Sequence, residues 1–333
     1  MTIPPLDPTY PLCASTVPAE GLPSSADAAT PLLIALVKQS LNLVRSSQAW
    51  KKGKQFGKED QKEGGKVQAL YCPSDMEGRL KKCGWHARLS KHNPVEGGLS
   101  FTDLYDGLGT EDHTLNEKGY ISDILESLQV GVVIPGRAEV WRNSYNLPSL
   151  TANRDFVELV VTLPLPPSPE PFSPAHEEVI LKALSTKPLQ LPQDPGSPSQ
   201  GRRSFLVVSL PVAHPSAPER PEEFVRAKYA SVEAVWEGAH HAEGQEPDIE
   251  WLMAVQSDSS GKIPLVFQEM AMPGKIAHDV PLFYEWARKQ KAKHGRVGHD
   301  EARNVVEGQG AGTSAAPAAA TVEGEGAAPV GPA

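Results

Sequence analysis

Residues 225–291 constrain the fold of this 333-residue chain more than any other stretch. VRAKYASVEAVW and IEWLMAVQ read as strands, rich in Val, Tyr, Ile and Trp, and turn chemistry follows each. In SDSSGKIP, Asp258 can accept backbone donors, Gly261 permits a positive φ, and Pro264 suits the first position of a helix. The segment that follows carries Val266, Met270, Pro273, Ala277, Val280, Tyr284 and Ala287 at alternating spacings of four and three, which puts one stripe on one helix face. Such a helix, placed after the last strand of an antiparallel sheet, buries its stripe across the sheet's concave face. The space between sheet and helix is then a candidate cavity for an apolar ligand.

Composition narrows the classes. Apolar residues make up 39% and aromatics 6% of the chain, while the 32 Pro and 28 Gly cluster rather than spread. Much of the chain therefore reads as punctuation, leaving roughly 200–230 residues to fold. A formal charge of −9 argues against nucleic-acid binding, which needs Lys and Arg to displace counterions. Cys13, Cys72 and Cys83 are odd in number and show no CxxC spacing, so neither a disulfide framework nor a zinc site is expected. No basic start precedes an apolar core, and VGVVIPG at 130–136 is too short to cross a bilayer. The expected compartment is cytoplasmic.

In chain order, residues 1–29 read as a disordered arm. PLLIALVKQSLNLVRSSQA at 31–49 forms a helix with Leu33, Leu36, Val37, Leu41 and Val44 on one face, Thr30 as N-cap and Pro31 at the first position. That helix docks on the domain or lies on a membrane surface. The Lys-rich run at 51–66 reads as a solvated loop, with a transient membrane-surface contact as its functional option. GWHARLSKH at 84–92 alternates as a strand does. Residues 100–107 and 112–128 read as helices or helical turns. VGVVIPGRAEVWRNSYNLPSL and TANRDFVELVVTL return to strand character. Proline density over 164–203 argues against a central strand, so this region is expected to be a mostly disordered insertion, a linker or a PxxP ligand, with a short helix at AHEEVILKAL. Residues 294–333 are Gly, Ala, Pro and Glu with few bulky apolar groups, and are expected to be a disordered tail. The folded domain is expected over 30–293.

Catalytic signatures are absent: no GxSxG, HExxH, GxxxxGK[ST] or GxGxxG occurs. His86, His92 and His113 would need tertiary convergence to hold a metal, and no metal or cofactor is expected. His240 and His241 fall in a loop-like stretch. Asp155 and Glu158, three apart on a strand, point to opposite faces and form no dyad.

Pieces that occur in order are HTLNEKGYI, then NRDFVELVVT, then SFLVVSLP, VRAKYASVE, and WLMAVQSDSSGKIP with its closing helix. This order resembles the START family of lipid-transfer modules. The RDF strand entry, the VR…Y strand and the D..G.IP junction carry the likeness. More closely, NRDFVEL, VRAKYASVE and IPLVFQEMAMPGKIAHDVPLF resemble a fungal START-like family, the domain of unknown function 3074 family, over about residues 84–291. The resemblance implies an α+β helix-grip fold, a curved antiparallel sheet around a long C-terminal helix. It also implies a soluble carrier or sensor that holds a lipid or other apolar small molecule. One departure stands out. Steroid-binding START domains place an arginine in the cavity a few residues past RDF, where this chain continues Glu158, Leu159, Val160, Val161. A paired buried charge is not expected there, and a sterol hydroxyl contact is not carried over.

The cavity lining follows from strand parity. Arg226 and Lys228 favour water, which turns Tyr229, Ser231 and Glu233 inward, and an inward Glu233 needs a partner or a raised pKa. Trp251 and Met253 share the inner face of the next strand. Val266, Met270, Ala277, Val280 and Tyr284 form the lid, and Pro273 and Pro281 predict a kink or break that serves as its hinge. Core packing without a ligand would use the same residues. An enzyme of cyclase or hydrolase type acting on an apolar substrate, and a scaffold without a cavity, are the alternatives.

Overall fold

A computed structural model describes residues 7, 9–58, 63–72, 84–94, 98–146, 152–189, 191–239, 246–261 and 264–309, with the backbone alone at 265 and 294–309. The chain falls into two compact units, residues 1–290 and 291–333. In the second, the described residues are helical up to Gln309. In the first, one sheet runs through the whole unit. Its order is β1 (Lys51–Phe56), β2 (Val67–Cys72), β3 (Trp85–His92), β10 (Ile249–Asp258), β9 (Lys228–Glu237), β7 (Arg202–Pro211), β6 (Arg154–Ser168), β5 (Ala138–Tyr145) and β4 (Ile124–Ile134). All these neighbours pair antiparallel, and the short β8 (Val225–Arg226) pairs parallel to the start of β6.

Both faces of this sheet are covered. Against one lie α1 (Thr30–Ser47) and α4 (Pro174–Leu184), over a core that includes Leu33, Leu36, Leu159, Val161, Val232, Leu252 and Ala254. Against the other lie α2 (Phe101–Leu104), a π-helical turn at Tyr105–Gly109, α3 (His113–Tyr120) and α5 (Leu265–Gln309). Here Val235, Phe205 and Trp251 of the strands meet Ala277, Val280, Phe283 and Tyr284 of α5. The fold is the curved antiparallel sheet with a long C-terminal helix that the sequence leads one to expect.

Several local readings are corrected. Strand β6 does not stop at the prolines but pairs Pro164 with Phe205 and Leu165 with Ser204. Alternation explains why this is tolerated. Thr162 donates to Arg137 and Val157 accepts from Val212, so even-numbered residues of β6 bond towards β5 and odd-numbered ones towards β7. Strand β5 begins only at Ala138, opposite Val161, so the missing N–H groups of Pro164 and Pro166 fall on a side that has no partner strand. Within 164–203, α4 docks on α1, where Arg45 pairs with Glu177 at 2.7 Å. The N-terminal arm is also tied down. Val17 donates to Pro211 and accepts from Ala213, and Leu12 is buried. Thr30 begins α1 rather than capping it. The Lys-rich run contains β1, whose hairpin partner is β2. Residues 112–128 are helical only in their first part. α3 ends at Tyr120, and β4 is an edge strand whose exposed Leu125 and Leu128 mimic helical spacing.

Helix α5 comes close at the π-helical turn, which calls for glycine at 107. A Cβ on Gly107 would stand 2.5 and 2.7 Å from ring atoms of Phe283 and 3.0 Å from Trp286. The ring of Phe283 is fully buried and packs 5.2 Å from Trp251 and 5.5 Å from Tyr120, centroid to centroid. Phe283→Ala is expected to destabilise the protein by about 3–5 kcal/mol, and Gly107→Ala by about 1–3 kcal/mol through overpacking. Both should lower the urea midpoint with the slope unchanged.

Candidate functional site

The face of the sheet under α5 is built in rows that the register fixes. Ser90, Trp251, Val235 and Phe205 form one row, and Arg88, Met253, Glu233, Val207 and Thr162 the next. Val255, Ser231, Ser209 and Val160 form a third. Glu158 and Trp141 face each other across β6 and β5. Helix α5 lies over the first rows through Val280, Phe283 and Tyr284.

The centre of this face is ionic. The Arg88 guanidinium lies 3.9 Å from the ring centroid of Trp251 and pairs with Glu233 at 3.1 Å. Trp251 donates its indole N–H to the same Glu233 oxygen at 2.6 Å. Arg88 is 1% exposed, and among the described residues its Nε and Nη1 have no hydrogen-bond partner. The guanidinium thus has one satisfied arm and donors left over.

Further acids surround the pair. Glu117 on α3, Glu158 on β6 and Asp279 on α5 have no hydrogen bond or ion pair among the described residues. Burial pushes the Glu117 carboxyl up to about 8, with Asp279 and Glu233 adding to the effect. Burial also raises Asp279 to about 7 against the opposing pull of Arg88. Glu158, 6% exposed, is raised well above the usual carboxylate range by burial and by the charge of Glu117. Tyr120, Tyr145 and Tyr229 are raised well above the phenol range, burial first among the causes. The rings of Tyr145, Phe156 and Tyr229 follow one another at 5.3 and 6.3 Å.

At the other end the polar groups are satisfied. His92 hydrogen-bonds with Ser90 at 2.8 Å and with Tyr284 at 2.7 Å, and burial lowers its pKa to about 3, so it stays neutral. Packing also closes beneath α3, leaving about 10 Å³ beside His113, Trp141 and Thr162. A separate cavity of about 400 Å³ lies near Thr16, His214, Arg226 and Lys228. It holds none of the residues expected at the site, and Asp155 neutralises its Arg226 through a bidentate pair at 2.9 Å. Among the described residues, no group of three or more His, Cys, Asp or Glu is placed to hold a metal ion.

Of the residues expected to line the site, Tyr229, Ser231, Glu233, Trp251 and Met253 share the covered face, and Val280 and Tyr284 meet it from α5. Val266 and Met270 are not brought there: they are 66% and 75% exposed. The buried side of α5 is centred on Ile276, Val280, Phe283 and Ala287, so the early part of the stripe misses the core. Nor is the helix interrupted, since Pro273 and Pro281 lie inside one continuous helix. Sequence reasoning missed Arg88, Glu117, Glu158 and Asp279. Glu158 shares strand parity with Phe156 and Val160, which was the available signal, and it is buried with no ion pair among the described residues, in keeping with the expectation that no paired charge is buried there.

Comparison with known proteins agrees with this architecture. Human StAR-related lipid transfer protein 5 superposes with a TM-score of 0.53 at 13% identity, covering 80% of this chain and 99% of that one. Human STARD10 matches with a TM-score of 0.49 at 16% identity, over 78% of this chain and 84% of that one. An uncharacterised Schizosaccharomyces pombe protein, C577.11, is 23% identical over 211 residues, 63% of this chain and 71% of its own length. Residues 85–287 match the family model described as Protein of unknown function (DUF3074), and the chain belongs to that family.

Proposed function

We propose that the protein binds one apolar or amphipathic small molecule between the covered face of the sheet and α5, and exchanges it at a membrane surface. One observation carries the reading. Tyr145, Phe156, Tyr229 and Met253 sit on the inward face between strands and helices, yet all remain half-buried. Glu117, Tyr120 and Asp279, which face them, keep accessible surface too. Half-buried side chains on a face that helices cover leave room for a ligand beside α5. An apolar ligand gains roughly 25 cal/mol per Å² buried there, so binding needs no catalytic group. The likeness in fold to human StAR-related lipid transfer protein 5 supports the same reading.

Exchange needs a docking surface, and α5 begins with one. Val266, Phe267 and Met270 are all more than half exposed. Gly274, about a turn further on, approaches the ring of Phe56 at the end of β1. Strand β1 carries exposed Lys51, Lys52 and Lys54. Apolar side chains beside lysines complement an anionic bilayer. Among the described residues no helix is long and apolar enough to cross a membrane.

A catalytic reading is favoured by one observation: burial raises Glu117 to about 8 and Asp279 to about 7 and lifts Glu158 above the usual carboxylate range, the direction that suits general acids. Mass spectrometry of the extracted ligand before and after incubation separates the two. An unchanged mass supports a carrier, and a converted ligand supports an enzyme.

Three outcomes are expected. Native mass spectrometry of the purified protein should show one apolar adduct; no adduct and no uptake of a fluorescent diacylglycerol from vesicles would overturn the binding reading. Ser231→Trp, which fills the inner face, should weaken that uptake by about tenfold while the far-UV spectrum is kept. The pair Phe267→Asp and Met270→Asp should abolish sedimentation with phosphatidylserine vesicles and leave binding of ligand in solution unchanged.

The raised acids also set a pH dependence in the empty protein. Glu117 faces Asp279, Glu233, Glu158 and, through Tyr120 and Asp279, the Arg88 and Lys275 cations. Its folded pKa of about 8 lies above the ordinary glutamate value, so the folded state binds the extra proton. That contribution is complete below the unfolded pKa and is lost as pH rises through the folded one. The Tm should therefore fall between pH values of about 5 and 9, and Glu117→Gln should flatten the fall.

A further inference from the structure

Two buried side chains on one face of β3 carry hydrogen-bonding groups that the described residues leave without partners. Arg88 is engaged through Nη2, by Glu233 at 3.1 Å, while its Nε and Nη1 have no acceptor. His86 is buried too, and neither of its ring nitrogens has a partner. The two lie two residues apart on one strand, so both point to the face under α5, with Cα atoms about 6.7 Å apart. Buried polar groups are ordinarily satisfied, and those of a charged side chain are the most costly to leave unmade. Burial lowers the pKa of His86, and the neutral ring keeps one N–H to donate.

The neighbouring acids do not answer this need. One oxygen of Glu233 already accepts from both Arg88 and Trp251. Glu269 of α5 accepts from the Gly84 N–H at 2.8 Å and lies 3.4 Å from the Tyr71 hydroxyl, with no hydrogen bond to His86. Room adjoins the unmet donors. Met253 stands opposite Arg88 on one side and Glu233 on the other, and it is half-buried. Further along the same face the half-buried rings of Tyr229, Phe156 and Tyr145 follow one another at 6.3 and 5.3 Å. The face thus has a donor end at β3 and an apolar, aromatic end at β9, β6 and β5.

We propose that the molecule held between the sheet and α5 is an acidic amphiphile, whose carboxylate accepts from Arg88 and His86 while its apolar chain runs past Met253 towards Tyr229, Phe156 and Tyr145. The inference rests on the binding reading above and names its ligand class. A carboxylate brings two acceptor oxygens and one charge, and its hydrogen bonds to a guanidinium are charge-assisted. A hydroxyl head brings a single neutral oxygen, and a protonated amine brings no acceptor. A phosphate monoester would add a charge of about −1.5 to −2 beside a guanidinium that Glu233 already pairs, more than the site can balance. Arg88 keeps its bond to Glu233 when the ligand enters, so β3, β10 and β9 stay tied while the free donors are taken up.

The test uses the full chain and palmitate, hexadecanol and hexadecylamine, each below its aggregation threshold, in calorimetry near neutral pH. Palmitate is expected to bind about tenfold more tightly than either of the others. Arg88→Met combined with Glu233→Gln removes the ion pair as a unit, so that no charge is stranded and the Trp251 N–H keeps an acceptor. This double variant should bind palmitate and hexadecanol alike. His86→Leu deletes nitrogens that have no partner among the described residues, so it should not lower the Tm. It should reduce the palmitate preference by about threefold. Equal binding of palmitate and hexadecanol by the unaltered chain, or a preference for the amine, overturns the inference and leaves the binding reading standing. A preference that survives the double substitution overturns the role of Arg88, and one that His86→Leu does not change overturns that of His86. If the double variant loses its far-UV spectrum, His86→Leu alone decides. Failure of all three probes overturns the binding reading itself.

Discussion

A guanidinium with no route to water holds the middle of this structure in register. Arg88 stacks on Trp251 and pairs with Glu233, so one side chain ties together β3, β10 and β9. Removing one partner of such a buried pair typically costs about 3–5 kcal/mol, because the other charge is stranded. The tie also sets orientation. A slip of one residue between β3 and β10 would turn Arg88 to the face covered by α1, where the core is apolar. The placement of α5 follows, since Phe283 packs on the same Trp251 that receives the guanidinium.

The acids near that pair work against stability. A core chosen only to be stable would fill the positions of Glu158 and Asp279 with apolar groups, and natural proteins depart from that rule chiefly where they have a task. The contrast lies within one face. His92, Ser90 and Tyr284 hydrogen-bond with one another, whereas Glu117, Glu158 and Asp279 have no hydrogen bond or ion pair among the described residues. The satisfied end is framework, and the other end carries the acids that burial raises.

The sequence revealed what depends on local periodicity. Alternation on β9 and β10 placed Tyr229, Ser231, Glu233, Trp251 and Met253 on one face, because strand parity needs no knowledge of neighbours. It also showed that an inward Glu233 would need a partner. It did not supply Arg88, which lies 145 residues away in the chain and alternates with apolar residues as a solvent-facing cation would. That reasoning assumes one wet face, and at β3 this sheet has none. The same assumption hid Glu158. The prolines of β6 misled for a different reason: whether a missing N–H matters depends on whether a strand lies on that side, and this is a property of sheet order. The stripe on α5 was drawn too early in the helix, because periodicity gives the face of a helix but not how far the sheet beneath it extends.

The neighbour of β3 is β10, so one edge of the sheet waits for the end of the chain. Strands β1 to β3 can form their own meander early, but residues 86–92 find their other partner only when residues 249–255 exist. On the ribosome, the amino-terminal meander must therefore leave the exit tunnel with one long edge open, and stay so while the remaining strands are made. Contacts this distant slow folding, because a large loop must close before any of them forms. During synthesis Arg88 and the backbone of β3 stay in water, where a charge on an open edge discourages pairing with another chain. The residue that locks the finished sheet thus also guards the unfinished one.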